Sequence, residues 1–464
     1  MPKLKLTETV LCDGQEALAG ARMTTEEMVF ALQTLDKINY QAIEVFGGDS
    51  FDVCLRSLNE DPWDRLRNIR SNITRTKLQM TVRGQSLAGY RNFADDMVQY
   101  FLQKAIANGI DIVRVYDPLN DIRNMATAIS AVRKESKHVQ GTICYTESPV
   151  HSTERFLDYA EQLISIGVDS LCIMDKAGLL RPYEAFQLIK ALRANYKLPI
   201  QLHTHETTGM AAMTILKAVE VGVDQVDVAL SPFASGNSLS ATESMVSAFR
   251  NTPYAPDIDT DALALATDYF IGLRKKYMAN GTIHPSFLKI DTSVLTHQMP
   301  SGIHSHLFEE MCRFNGPEVL GKVLEEIPFV RADAGYPPLV TPIAEIIYTQ
   351  ALQNVLDGTR YKTVTPEFFN LIAGRYGRLP MPVALDFQQK ILGDVIPITH
   401  RPADTLAPEV ENYRAKVAPY AMQEEDLLSL AMLEEVAIKF FEWRKNRYGK
   451  LDARAAGGSS THPV

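Results

Sequence analysis

His203 and His205 stand one residue apart in the apolar run IQLHTH. If that run is a strand, its period of two turns both imidazoles to one side, where they can share a metal ion. Asp13, which closes the run VLCD, offers the oxygen ligand that such sites commonly add. A second reading leaves the histidines hydrogen-bonded to their surroundings with no ion between them. Further reactive side chains close or follow similar runs. Cys12 and Glu16 flank Asp13, Asp52 lies beyond the GGDSFD turn after AIEVF, Arg83 closes LQMTVR, Asp117 closes IVRVYD, and Met174, Asp175 and Lys176 end SLCIMDK.

Strands must position these groups, and short β-branched runs that read as strands recur through the first half. They are VLCD (10–13), AIEVF (42–46), LQMTVR (78–83), IVRVYD (112–117), VQGTICYT (139–146), SLCIMD (170–175), IQLHTH (200–205) and QVDVAL (225–230). Their starts are roughly 30 residues apart, the length of one strand-plus-helix unit, so the pattern predicts an α/β fold of the eight-stranded (β/α)8 TIM-barrel type. An open doubly wound sheet would show fewer strands and a glycine-rich first turn, which is missing. In such barrels active sites form at the C-terminal strand ends, where the residues above fall.

The segments between the runs read as helices. TTEEMVFALQTLDKIN starts with Thr24 or Thr25 as a cap and sets Met28, Leu32 and Leu35 on one face. Domains are expected at 1–250 (barrel), 251–449 (mostly helical, including LFEEMCRF, IAEIIYTQALQNVL and EEDLLSLAMLEEVAIKFFEWRKNRYG) and 450–464 (a Gly/Ser-rich disordered tail).

A net charge of −9 with no long basic run argues against a nucleic-acid partner. Five scattered cysteines without a CxxC pair suggest a reducing compartment. No signal-peptide core and no run of 18 or more apolar residues is found, so no membrane span is expected and the cytoplasm is the expected location.

As a set, these residues resemble the carboxyltransferase component of biotin-dependent enzymes acting on pyruvate and oxaloacetate. The resemblance covers about 1–450, through FGGDSFDVCLRSLNEDPWDRLR, VRGQSLAGYRNFADDMV, QGTICYTESPVHS, QLHTHETTGM, AGYPPLVTP, GRYG and HRPAD. It implies a barrel with a helical extension and a divalent ion (Zn, Mn or Co) held by Asp13, His203, His205 and a carbamylated lysine. It also implies that Arg83 grips the keto acid and that Asp52 and Tyr90 line the carboxybiotin pocket. Carboxybiotin would come from a biotin carrier protein, because the chain has no AMKM-like attachment motif. A homodimer is implied as well.

Three places depart from the family pattern. Met174 stands where the carbamylated lysine belongs, and a thioether is a weak ligand that forms no carbamate. Lys176 appears two residues on, shifted outward by about 6.6 Å on the same strand face. It has three readings: a replacement ligand, a fixed positive charge, or a solvated rim residue. Cys12 and Glu16 replace an arginine and a glutamine, which makes the site more negative by two charges if both groups ionise as usual. Asn237 replaces a threonine implicated in proton shuttling, with Ser238 beside it as a hydroxyl substitute.

The expected function is carboxyl transfer or decarboxylation on a 2-oxo acid, through a metal-stabilised enolate. Lys176, Glu16, Asn237 and Ser238 are its candidate catalytic groups. Two alternatives stand beside it: enolate chemistry without biotin on another keto or acyl acid, and a non-catalytic partner of a true carboxyltransferase.

Overall fold

The computed structural model describes residues 3–300 and 317–456. Eight parallel strands close into a barrel in sequential order: β1 (Lys5–Glu8), β2 (Ala42–Phe46), β3 (Lys77–Arg83), β4 (Ile112–Tyr116), β5 (His138–Cys144), β6 (Ser170–Asp175), β7 (Ile200–Thr204) and β8 (Gln225–Val228). β1 closes the ring against β8, pairing Lys5 with Gln225 and Glu8 with Val228. Helices follow the strands as the (β/α)8 pattern requires. The first one predicted, Thr25–Leu35, has Thr24 and Glu27 in a reciprocal capping box.

Seven strands fall on their predicted runs, and β1 does not. It is formed by KLTE, and VLCD is the turn after it. Val10 and Leu11 are apolar because they are fully buried in that turn, not because they belong to the sheet. Asp13 therefore begins a short helix, Asp13–Ala19, just beyond the strand. Likewise GGDSFD is no turn but the start of helix Gly48–Val53. Phe51 anchors that helix by packing against Phe46, Trp63 and Phe101.

The chain after β8 is helical, as expected, but its packing cuts across the boundary drawn at 250. Buried residues of Thr260–Ala279 and of 417–441 join the barrel's core. A second core gathers the helices Pro317–Asp333, Ile343–Asp357, Pro366–Ile372 and Leu385–Leu392. It is tied to the barrel mouth by Arg331 donating to Thr146 Oγ1 (2.8 Å) and Asn124 donating to the Tyr376 carbonyl (2.9 Å). This brings Val340, Thr341 and Glu345 over the strand ends. The last helix runs through Ala456, past the predicted tail boundary at 450, and LFEEMCRF and 457–464 lie outside the described residues. No helix among the described residues is long and apolar enough to cross a membrane.

Candidate active site

A cleft of about 410 Å³ opens at the C-terminal strand ends. Its floor rests on a charged barrel interior that sequence reasoning overlooked. Arg114, 1 % exposed on β4, donates to Asp227 Oδ2 (2.6 Å) and Oδ1 (3.2 Å) and to Gln140 (2.7 Å). Burial alone would raise the Asp227 pKa, but the Arg114 guanidinium and the His203 ring outweigh it and hold the carboxylate at about 2. A charge placed between valines in IVRVY and QVDV was the available signal, since alternate strand residues must face the barrel axis.

Above this pair, His203 Nδ1 meets Asp227 Oδ2 at 2.7 Å and His205 Nδ1 meets the Asn237 carbonyl at 2.7 Å. Each ring thus has its outer nitrogen fixed and its Nε2 turned inward. Both inner nitrogens face Asp13 Oδ2, at 3.0 Å from His203 and 3.2 Å from His205. The ligand atoms of Asp13, His203 and His205 all lie within 4.8 Å of one another, and all three residues are buried. Gly14 helps bring this loop in, because a Cβ there would lie 3.0 Å from the Ala229 Cβ. Nitrogen and oxygen donors converging from oriented rings fit a divalent ion.

Met174 pairs in register with His203 and lines the cleft, while Asp175 turns away to accept from the Leu179 and Leu180 amides. Lys176 accordingly shares the Met174 side. It is not at a solvated rim: its Nζ lies 2.7 Å from Asp13 Oδ2, with the side chain 25 % exposed. Burial opposes its charge, but the Asp13 carboxylate more than compensates and raises its pKa. The Asp13 carboxyl, which burial would raise, is held well below the usual range by Lys176 and the two histidines.

The charge expected from Cys12 and Glu16 is opposed by their burial. Burial, and then the neighbouring Asp49 carboxylate, push the Glu16 carboxyl well above its ordinary range, which favours the protonated form that can hydrogen-bond Asp49. Burial likewise pushes the Cys12 thiol up. With Lys176 turned inward, the cleft keeps a cation in place of the lost arginine.

Arg83, 3 % exposed, borders the other end of the cleft. Gly48 leaves room for its guanidinium, which a Cβ there would push aside. Among the described residues its nearest carboxylate is Asp49 at 3.9 Å, and its Nε is buried with no hydrogen-bond partner. Asp52 is held by Arg56 Nε (2.7 Å) and Tyr90 Oη (3.3 Å), and all three residues line the cleft. Asn237 serves the site through its backbone carbonyl, and the Ser238 hydroxyl donates to the Gly14 carbonyl (3.2 Å); neither side chain lines the cleft. Asp117 caps the loop after β4 through the Leu119 and Asp121 amides. Glu44, Asp49 and Glu345 also line the cleft and were not anticipated.

A parallel barrel with an oriented Asp/His/His group at its strand ends defines a class of barrel enzyme. The family model described as HMGL-like matches residues 3–269, and that of the conserved carboxylase domain matches 294–459. The chain is 44% identical over 440 residues to a pyruvate carboxylase subunit of Methanocaldococcus jannaschii, covering 94% of this chain and 77% of that one. It is 41% identical to the methylmalonyl-CoA carboxyltransferase 5S subunit of Propionibacterium freudenreichii subsp. shermanii, covering 95% and 87%. The carboxyl transferase domain of Rhizobium etli pyruvate carboxylase, solved with pyruvate, superposes with a TM-score of 0.91 at 30% identity, covering 97% of this chain and 78% of that one. The chain belongs to the carboxyltransferase family of biotin-dependent enzymes, and it is an enzyme of that type.

Proposed function

We propose that this enzyme moves a carboxyl group between a 2-oxo acid, pyruvate or oxaloacetate, and carboxybiotin carried on a separate biotin carrier protein. The observation that carries this reading is one cleft lined by Asp13 and His205 of the Asp13, His203 and His205 group and, at its other end, by Arg83, whose Nε has no hydrogen-bond partner among the described residues. Arg83 binds the substrate carboxylate, for which a planar guanidinium is suited. That bond orients the carbonyl toward Asp13, and Tyr90 and Asp52 line the approach taken by the biotin ring. Asp13, His203 and His205 would hold a divalent ion such as Zn, Mn or Co, which supplies Lewis-acid stabilisation of enolate charge.

Lys176 adds a second positive charge at the same end, aimed where that charge develops. In the carboxylating direction, carboxybiotin releases CO2, biotin takes up a proton from the methyl carbon of pyruvate, and the resulting enolate carbon attacks CO2. Oxaloacetate forms, and decarboxylation is the reverse. Burial and the Asp49 neighbour favour the protonated form of Glu16, which limits the negative charge that it adds beside the substrate. The proposal includes a homodimer, which light scattering checks. Incubation with oxaloacetate and free biotin, followed by pyruvate formation, tests the reaction. Biotin-stimulated release of pyruvate is expected, and its absence rejects the reading.

A further inference from the structure

Asp13 Oδ2 is contacted by three nitrogens: Lys176 Nζ (2.7 Å), His203 Nε2 (3.0 Å) and His205 Nε2 (3.2 Å). Two of them are ligand atoms for a metal, and the third is a cation that can only repel one. An ion drawn to Asp13 and the histidines would sit within a few ångströms of the ammonium, in a buried site where like charges are poorly screened. Asp13, on the first turn of its helix with its side chain 5 % exposed, has little room to leave. Lys176 has a flexible four-carbon stem and a quarter of its side chain exposed.

Glu44 offers the lysine a second acceptor. On β2, it lines the same cleft and is 3 % exposed. Its Oε1 accepts from Thr81, but its Oε2 is buried without a hydrogen-bond partner among the described residues. Glu44 and Lys176 lie close enough to act on one another electrostatically.

We infer that Lys176 is a built-in competitor for the divalent ion: its ammonium holds Asp13 until an ion displaces it, and it then moves to Glu44 Oε2. The inference rests on the ligand assignment in the proposed function. Ion loading thereby becomes an exchange between two cations, and a positive charge stays near the reacting carbonyl in both states. Met174 contributes to this arrangement by leaving the fourth ligand position without a strong donor.

Calorimetric titration of the chelator-stripped full-length protein with MnCl2, and separately with ZnCl2, tests the exchange. Lys176→Met is expected to bind the ion at least about tenfold more tightly than the native chain, because the competing charge is gone. Glu44→Gln is expected to weaken binding about tenfold in the native background and by less than about threefold in the Lys176→Met background, since the two residues act as a coupled pair. Equal or weaker binding by Lys176→Met overturns the inference, as does an equal Glu44→Gln effect in both backgrounds. If no variant binds either ion, the Asp13 group is no metal centre and the inference falls with it. Circular dichroism verifies folding, and Lys176→Gln takes the place of Lys176→Met should the latter unfold. The oxaloacetate and biotin assay decides separately whether carboxyl transfer occurs, so the two ideas fail on different readouts.

Discussion

At the Asp13 end of the cleft, both ring nitrogens of His203 and of His205 have partners, and the shell behind them is a buried Arg114–Asp227 pair. At the Arg83 end, the guanidinium Nε and Glu345 Oε2 are buried with none among the described residues. Unmet hydrogen bonds in a buried place are costly, so they mark where a ligand is to complete the structure. Complete ones mark groups whose geometry is set beforehand. The two histidines are thus built to hold their shape, with Lys176 and Glu44 as the adjustable pair beside them, and the surroundings of Arg83 are built to be finished by substrate.

Breaking the preset end should cost most. Asp13→Asn removes the negative charge on which both histidines and Lys176 converge, and kcat for biotin-stimulated oxaloacetate decarboxylation is expected to fall roughly 10²–10³-fold, as when a key electrostatic group is removed. Steady-state kinetics check this. Behind it, Asp227→Asn leaves Arg114 buried beside a neutral amide. Denaturant unfolding should register a loss of about 3–5 kcal/mol, and divalent-ion affinity should drop roughly 10–100-fold as the His203 ring loses its orienting carboxylate.

At the substrate end the effects should be smaller and should appear in KM. Arg83→Lys keeps the charge but loses the planar fork, so KM for the 2-oxo acid is expected to rise about tenfold, equivalent to about 1.4 kcal/mol, with kcat less affected. Smallest is the contribution of Glu345, whose carboxyl is pushed up to about 7, chiefly by burial and further by Asp49. It is neutral at lower pH and becomes an anion as pH rises through about 7, where it competes with substrate for Arg83. KM should therefore climb a few-fold between about pH 6 and pH 8, and Glu345→Gln should flatten the profile. The same group binds its proton more tightly folded than unfolded. Its contribution to stability is present below the ordinary value of 4.5 and is lost as pH rises to about 7, so thermal melts should show Glu345→Gln reducing that decline. A KM profile unchanged by Glu345→Gln would remove the distinction between the two ends.

Legibility in the sequence followed the same division. The strands at 42–46 and 170–175 have the predicted bounds, because apolar alternation and barrel spacing are local signals. The metal-type group was equally readable, since HxH on a strand admits only one relative orientation. VLCD was misread because burial in a turn and burial in a sheet select the same residues. Glu345 and Glu44 escaped notice because nothing in their neighbourhoods along the chain shows that they reach the cleft.

By itself the sequence determined the eight-stranded barrel, the helical character of the chain beyond it and the pairing of His203 with His205 on one side, since each depends on periodicity, whereas the place of Asp13, in a helix just beyond β1, came from the turn that follows the strand. Only the tertiary structure decided the charge states and the contacts of Lys176. Whether Glu16 keeps a proton and whether Lys176 reaches Asp13 depend on burial and on carboxylates brought in from other strands. Those are distances through space between segments far apart in the chain, and they set the local electrostatics that residue types alone do not.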